Sequence, residues 1–164
     1  MTIDNQKQAV NLRIQKSIAL LILIIALGLI YFANILPHSI YGLNRNEIAV
    51  LILVIFVSFF ILHYLRNHNY IYYSDTGNKL ILRYFSLRPF EEKKNAIEFN
   101  KNELHNFEIK KTMPGINKSI IIYRKTTKGI AKYPPVSLTA LSKTDQEKMM
   151  ASLQRLIMAN QAGA

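Results

Sequence analysis

Asp75-Thr76-Gly77 is the stretch of this sequence that most resembles a catalytic motif. It matches the short signature in which two carboxylates share a proton and activate water. The chain offers one such Asp, so two copies would be needed, and Lys79 would place a cation near a desolvated pair. A hairpin turn, with Gly77 supplying a positive φ angle, is the favoured interpretation.

Metal and thiol chemistry have little support in the composition. The chain contains no cysteine, which excludes a disulfide framework, a thiolate zinc site and a cysteine nucleophile. The histidines lack the one-turn spacing or the neighbouring carboxylates of a helical zinc site; they are His38, His63, His68 and His105. The sequence has no glycine-rich phosphate loop and no nucleophile elbow. We therefore expect no metal, no cofactor and no enzymatic activity.

Basic side chains are the most distinctive candidates for binding. The chain has 21 Lys and Arg against 10 Asp and Glu, a formal net charge of +11. The candidate contacts for anionic lipid or a partner are Lys93, Lys94, Lys110, Lys111, Lys118, Arg124, Lys125, Lys128 and Lys132. Near a membrane each would contribute about 1 kcal/mol of attraction to anionic headgroups.

Two other interpretations of the basic residues compete with lipid binding. A solvated surface that promotes solubility is favoured over lipid, and an RNA- or ribosome-facing patch is the least favoured. RNA recognition usually adds exposed aromatic side chains for stacking. In this sequence the aromatic residues alternate as core residues do.

The charge is segregated along the chain, which points to a membrane. Residues 17–36 and 48–65 contain no Asp, Glu, Lys or Arg. As helices rising about 1.5 Å per residue they would extend about 30 and 27 Å, close to the hydrocarbon thickness of a bilayer. Both are apolar all round, whereas a core helix of a soluble protein usually keeps a polar stripe. They predict a transmembrane helical hairpin over residues 17–65.

Flanking charge predicts the orientation of this hairpin. Residues 1–16 carry three basic side chains against one acidic one, and a strongly basic region follows residue 65. The connector, residues 37–47, holds one Arg and one Glu. Positive flanks stay in the cytoplasm, so both termini are expected there. A cleaved signal peptide fits less well, because the first apolar run is long and a second follows closely.

The remaining residues, 66–164, are expected to form one small domain of strands closed by a helix. Alternating, aromatic and β-branched stretches predict six or seven short antiparallel strands, at residues 69–74, 79–86, 96–99, 104–112, 118–125 and 130–133. A helix is predicted over about residues 143–159, introduced by a capping pair of Ser142 and Asp145. Its apolar stripe is Met149, Met150, Leu153, Leu156 and Ile157.

This arrangement resembles the membrane-anchored bacterial pleckstrin-homology-like (PH-like) proteins. The segments that carry the resemblance are NYIYYSDTGNKLILRYFS, ELHNFEIKKT, KSIIIYRK and LSKTDQEKMMASLQRLI. It covers about residues 17–158 and rests on architecture, because the family has no catalytic signature. It implies an α+β fold, with a partly open antiparallel β-barrel of seven strands capped by the C-terminal amphipathic helix. It also implies binding or scaffolding at the membrane.

One property of the wider superfamily does not transfer to this chain. Its eukaryotic members often bind phosphoinositides through basic residues near the first hairpin. Here that turn is Asp75-Thr76-Gly77-Asn78, with Lys79 and Arg83 as the nearest cations. Inositol-lipid recognition is therefore not expected.

The residues together predict a multi-pass protein of the bacterial inner membrane. Its parts are a cytoplasmic segment (1–16), a transmembrane hairpin (17–65) and a cytoplasmic PH-like domain (66–164). The expected role is that of a non-enzymatic accessory or scaffold subunit of a larger membrane complex. Integral membrane proteins are the expected partners, through the helices or a sheet edge. The alternative is a membrane sensor that binds anionic lipid with its basic face.

Overall fold

The fold is given by a computed structural model, which describes residues 1–32, 39–40, 43–88, 93–112 and 117–162. The chain divides into two compact units. Unit 1 comprises Met1–Ala9 and Arg66–Ala164, and unit 2 comprises Val10–Leu65. Two long apolar helices precede antiparallel sheets and a C-terminal helix. The α+β class, with its two N-terminal apolar helices, is confirmed.

Two helices account for most of unit 2. Helix α1 (Gln6–Tyr31) begins before the predicted span and includes the polar residues that precede the apolar run. Residues 33–36, the predicted end of that span, lie outside the described residues. Helix α2 (Arg45–Leu65) contains the whole of the second predicted span. Both helices are long and apolar enough to cross a membrane.

The start of α2 is fixed by a side chain from its first turn. The backbone N–H of Asn44 donates to Glu47 Oε2 over 2.8 Å, the reach-back half of a capping box. Two short strands precede the helix, β2 (Ser39–Ile40) and β3 (Leu43–Asn44), and they pair antiparallel.

The first sheet of unit 1 includes a strand that the sequence did not reveal. Its order is β1-β4-β5-β6, all antiparallel: β1 (Thr2–Asp4), β4 (Asn69–Ser74), β5 (Lys79–Ser86) and β6 (Lys94–Asn100). Gly77 takes a φ of 71° in the turn between β4 and β5, as predicted. The unpredicted strand is β1, which places Ile3 opposite Tyr73.

The second sheet is built around one long strand. Strand β8 pairs with each of its other members: β7 (Leu104–Thr112), β8 (Asn117–Thr126), β9 (Gly129–Lys132) and β10 (Val136–Ser137). A short 3-10 helix, Lys101–Glu103, connects β6 to β7. No sheet closes into a barrel among the strands that the structure describes. The predicted partly open barrel therefore stays a prediction.

Helix α3 (Lys143–Ala162) packs on a core shared by both sheets. Met149 and Leu153 are fully buried in that core. The predicted capping pair is present: Ser142 Oγ donates to Asp145 Oδ2 over 2.6 Å and accepts the Asp145 N–H over 3.1 Å. The buried Gln146 side chain donates to backbone carbonyls of the preceding loop and so fixes the entry to the helix.

Candidate functional site

A buried amide side chain extends the pairing between β1 and β4. Asn5 is fully buried. Its Oδ1 accepts the Ile71 N–H over 2.8 Å, and its Nδ2 donates to the Asn69 carbonyl over 3.1 Å. Its backbone N–H donates to the Ile71 carbonyl over 3.2 Å. The side chain thus continues the strand ladder beyond the end of β1. The strand that precedes α1 and the strand that follows α2 are therefore neighbours in the first sheet.

The carboxylate of the Asp75-Thr76-Gly77 stretch lies in a hydrogen-bonded network, in the turn that was expected. Tyr73 Oη lies 2.8 Å from Ser152 Oγ, which in turn donates to Asp75 Oδ2. The Met1 amino group forms an ion pair with Asp75 Oδ1. Because the Ser152 proton points to Asp75, Tyr73 supplies the proton of the other bond.

Burial and charge shift the two acids of this network in opposite directions. Burial raises the pKa of Tyr73 to about 12, and the nearby Asp75 charge adds to the rise against the lowering effect of the Ser152 bond. Burial acts to raise the pKa of Asp75 as well. Hydrogen bonds from the amino terminus and Ser152, with the charges of the amino terminus and Lys101, outweigh it and lower that pKa below its ordinary value.

The nine basic candidates are spread over both sheets. Lys94 is the first residue of β6 and Lys93 directly precedes it, and Lys128 lies in the turn between β8 and β9. The others lie on the second sheet: Lys110, Lys111, Lys118, Arg124, Lys125 and Lys132. All except Arg124 are exposed.

Strand alternation divides the basic residues of the second sheet further. Lys110 and Lys111 are consecutive on β7, so their side chains point to opposite faces. Lys111 lies directly opposite Lys118, where like charges repel. Lys125 and Lys132 lie on the face of Tyr123, and the Lys132 ammonium is 5.7 Å from the centre of the Tyr123 ring. The structure therefore gathers a few of these cations and not all nine.

Arg124 forms contacts within its own unit. Its Nε lies 2.8 Å from Glu103 Oε2, and its guanidinium stands 5.7 Å from the centre of the Phe99 ring. A hydrogen bond to Tyr133 Oη, then the bond and charge of Glu103, raise the pKa of this arginine. These contacts link the 3-10 helix to β8, so we assign Arg124 a structural role.

The outer face of the first sheet carries aromatic side chains. Tyr70 and Phe85 lie opposite each other, with ring centres 4.6 Å apart and planes inclined by 24°. Tyr72 lies opposite Arg83, and Lys94 lies beside Phe85. The expectation that the aromatics alternate as core residues does not hold for these three rings. The NYIYYS segment is aromatic on both faces, so its pattern cannot separate them.

A groove of about 370 Å³ opens on this aromatic face. It is lined by Tyr70, Tyr72, Arg83, Tyr84, Phe85, Lys94, Asn95 and Ala96. Ala96 lies opposite Arg83, and Lys94 is two residues away on the same strand. The small side chain of Ala96 thus leaves a recess between two cations.

A second groove, of about 430 Å³, lies on the second sheet. Its lining residues are His105, Asn106, Phe107, Glu108, Tyr123 and Ile130. Glu108 accepts a hydrogen bond from Tyr123 Oη over 3.0 Å, so this groove presents a carboxylate. The residues that line the two grooves therefore differ in charge: the second groove includes the carboxylate of Glu108, and the groove on the first sheet includes Arg83 and Lys94.

No cluster of three metal-binding side chains occurs in the part of the chain that the structure describes. Among the histidines, His68 is buried and His105 lines the second groove. His38 lies outside the described residues. Comparison with protein-family models, with curated proteins and with solved structures finds no match.

Proposed function

We propose that this protein is a non-enzymatic, membrane-anchored accessory or scaffold subunit, with its PH-like interaction domain in the cytoplasm at the bacterial inner membrane. The observation that carries the proposal is the pairing of β1 with β4. β1 precedes the first apolar helix and β4 follows the second. Paired strands lie on the same side of a membrane, so the chain between them crosses an even number of times. Positive flanking residues assign that side to the cytoplasm.

The surface of the two helices supports a membrane location. More than a dozen of their large apolar side chains are exposed, including Ile22 at 61% and Ile55 at 62%. Keeping a large apolar side chain in water costs about 1.5–3 kcal/mol relative to burying it. Summed over half-exposed side chains, the cost is on the order of 10–20 kcal/mol, as large as the stability of a whole domain. Lipid or neighbouring helices remove this cost.

The order of elements in unit 1 supports the PH-like assignment. Strands β4 to β10 follow one another without an intervening α-helix, and α3 then packs on the core between the sheets. A strand meander closed by one C-terminal helix is the arrangement that the resemblance implies. Closure of the two sheets into a partly open barrel is part of this proposal.

Single-cysteine variants test the topology, because the natural chain has no cysteine. In spheroplasts, we expect a membrane-impermeant maleimide to label Asn46→Cys. Lys7→Cys and Lys125→Cys should become labelled after permeabilisation alone. Labelling of Lys125→Cys in sealed spheroplasts, or of Lys7→Cys and Lys125→Cys from opposite sides, would refute the topology.

Cross-linking in native membranes tests the accessory role. We expect an integral membrane protein to co-purify with the chain and Gly28→Leu to reduce its recovery. A Cβ at Gly28 meets no atom within 4 Å among the described residues outside its own helical backbone, so the substitution has room here and fills a gap that a neighbouring helix would use. Ile25→Leu, at an exposed position on the same helix, is the matched control. Recovery of the chain alone under varied conditions would contradict the proposal.

Binding of anionic lipid is the second candidate function. The exposure of eight of the nine basic candidates favours it. In nanodiscs, phosphatidylglycerol should slow hydrogen exchange in β7–β9 relative to phosphatidylcholine alone, and salt should reverse this effect. A triple change of Lys110, Lys125 and Lys132 to Gln should abolish the difference. Equal exchange in both lipids would remove this candidate.

A further inference from the structure

We propose that the outer face of the first sheet binds a nucleotide unit. The base stacks on the Tyr70–Phe85 pair, and the phosphate lies between Arg83 and Lys94. This inference goes beyond the anchoring role, and its residues all lie within unit 1. A nucleotide unit occurs as a free nucleotide or within a single-stranded nucleic acid, and the same contacts would recognise it in either form.

The aromatic side chains occupy positions that the core does not use. The core side of this sheet is formed by Ile71, Tyr73 and Leu82, which are fully buried. Tyr70 and Phe85 lie on the opposite face, where their rings stack with centres 4.6 Å apart and both side chains are half-buried. Every base has a π face, so a stacked aromatic platform on a sheet binds bases with little sequence preference.

The cations beside this platform are available to an anion. Arg83 and Lys94 are exposed, and neither forms an ion pair among the described residues. A guanidinium offers a planar fork of donors that fits phosphate oxygens in pairs. The two cations lie on β5 and β6, adjacent strands about 4.8 Å apart.

Among the described residues of this face, the two carboxylates lie on another strand or are paired. Asp4 lies on β1, opposite Tyr72 and at the other edge of the sheet from β6. Glu98, further along β6, is paired with Lys79 at 3.0 Å. Among the described residues, the lining of the groove includes Arg83 and Lys94 and no carboxylate.

The recess at Ala96 gives the proposal a defined volume. The groove measures about 370 Å³, within the roughly 300–1,000 Å³ range of small-ligand cavities. Ala96 forms its low point, because its neighbours across and along the strands are the longer Arg83 and Lys94. A phosphate there would lie next to the Phe85 ring, which shares a cross-strand row with Lys94.

The test uses the full chain in an uncharged detergent. Fluorescein-labelled octauridylate and octaadenylate are titrated by anisotropy, with AMP, UMP and inorganic phosphate as competitors. Tighter binding of the octamers than of AMP or UMP identifies a single strand as the source, and equal binding identifies a free nucleotide. Both results support the proposal. Competition by inorganic phosphate as strong as that by AMP, or binding to phosphatidylglycerol vesicles without binding to any nucleotide, would overturn it.

Paired variants locate the site. Changing both Tyr70 and Phe85 to Leu, or both Arg83 and Lys94 to Gln, should weaken binding at least about fivefold. Ala96→Leu should have a similar effect while keeping every charge and ring, because it fills the recess. The matched controls, all at exposed positions, are Ala131→Leu on the second sheet and the double change of Lys148 and Arg155 to Gln on α3, which should stay within about twofold of the natural chain.

Ala96→Leu also guards against a variant that fails to fold, because Ala96 is exposed and far from the core face. Its circular dichroism should match that of the natural chain. Three results would each overturn the proposal. They are equal losses of nucleotide affinity in the site and control variants, full binding by Ala96→Leu, and no binding of any nucleotide probe by the natural chain.

Discussion

Asn5→Ala is the sharpest test of how the N-terminal segment joins the sheet domain. The substitution keeps the backbone bond from residue 5 to Ile71 and deletes both side-chain bonds. It thereby separates the contribution of the amide from that of strand β1 itself. We expect a marked loss of stability from a residue close to the amino terminus, where most substitutions have small effects.

The size of the loss follows from the groups that are left unpaired. Asn5→Ala leaves the Ile71 N–H and the Asn69 carbonyl without their side-chain partners, in residues that are 0% and 6% exposed. A buried polar group that loses its partner costs about 1–3 kcal/mol. Because water can enter part of the space left by the amide, we expect a total of about 2–4 kcal/mol. Asn5→Asp should cost at least as much, because it buries a charge and removes a donor.

Urea unfolding of the full chain in detergent, followed by circular dichroism, measures this change. Hydrogen exchange adds a local readout: the Ile71 amide and residues 2–5 should lose protection before the rest of the sheet. Asn102→Ala is the control, since Asn102 is exposed in the 3-10 helix. A stability within about 0.5 kcal/mol of the natural chain, with unchanged protection, would refute the reasoning.

Three further predictions concern the core and the polar network. Tyr73→Phe should lower the free energy of unfolding by about 1 kcal/mol at neutral pH. Folding raises the Tyr73 pKa from 10.0 to about 12, so the natural chain should lose stability as the pH rises through this range, and urea titrations of the variant should lack that fall. Asp75→Asn should flatten the acid limb of a Tm-against-pH curve: folding lowers the Asp75 pKa from 3.8, so its contribution is present above about pH 4 and fades below. Leu153→Ala should cost about 2–5 kcal/mol in urea unfolding, whereas the exposed Gln154→Ala should be nearly neutral.

The elements with local signals could be predicted from the sequence. Strands β4 and β5 have the predicted bounds, because aromatic and β-branched runs flank a turn that needs Gly77 at positive φ. Helix α3 begins at Lys143, directly after the predicted capping residue Ser142 and with Asp145 in its first turn, and ends at Ala162, three residues later than predicted. Helix ends depend on weaker local signals than helix starts with a side-chain cap.

The features that the sequence did not predict depend on partners far away in the chain, or on patterns that fit either face of a β-sheet. Strand β1 has three residues, too few to show a period, and Asn5 reaches a partner 66 residues away. The sequence predicts that the aromatic residues alternate as core residues do, and it does not separate Tyr70 and Tyr72 from Tyr73, because NYIYYS is aromatic or β-branched at four successive positions. Clusters such as Lys110-Lys111 look continuous in the sequence, although strand geometry sends consecutive side chains to opposite faces. That rule could have been applied without a structure.

The pairing of β1 with β4 also constrains the order of events during synthesis. Residues Thr2–Asp4 are synthesised before Asn69–Ser74 and must wait for them before they find their place in the sheet. On the proposed topology, both hydrophobic segments have been made and delivered to the bilayer by then. A nascent chain that inserted one hydrophobic segment in the wrong orientation would leave Thr2–Asp4 across the membrane from β4. The exposed edge of β4 would then mark that molecule as misassembled, so completion of the sheet reports correct insertion.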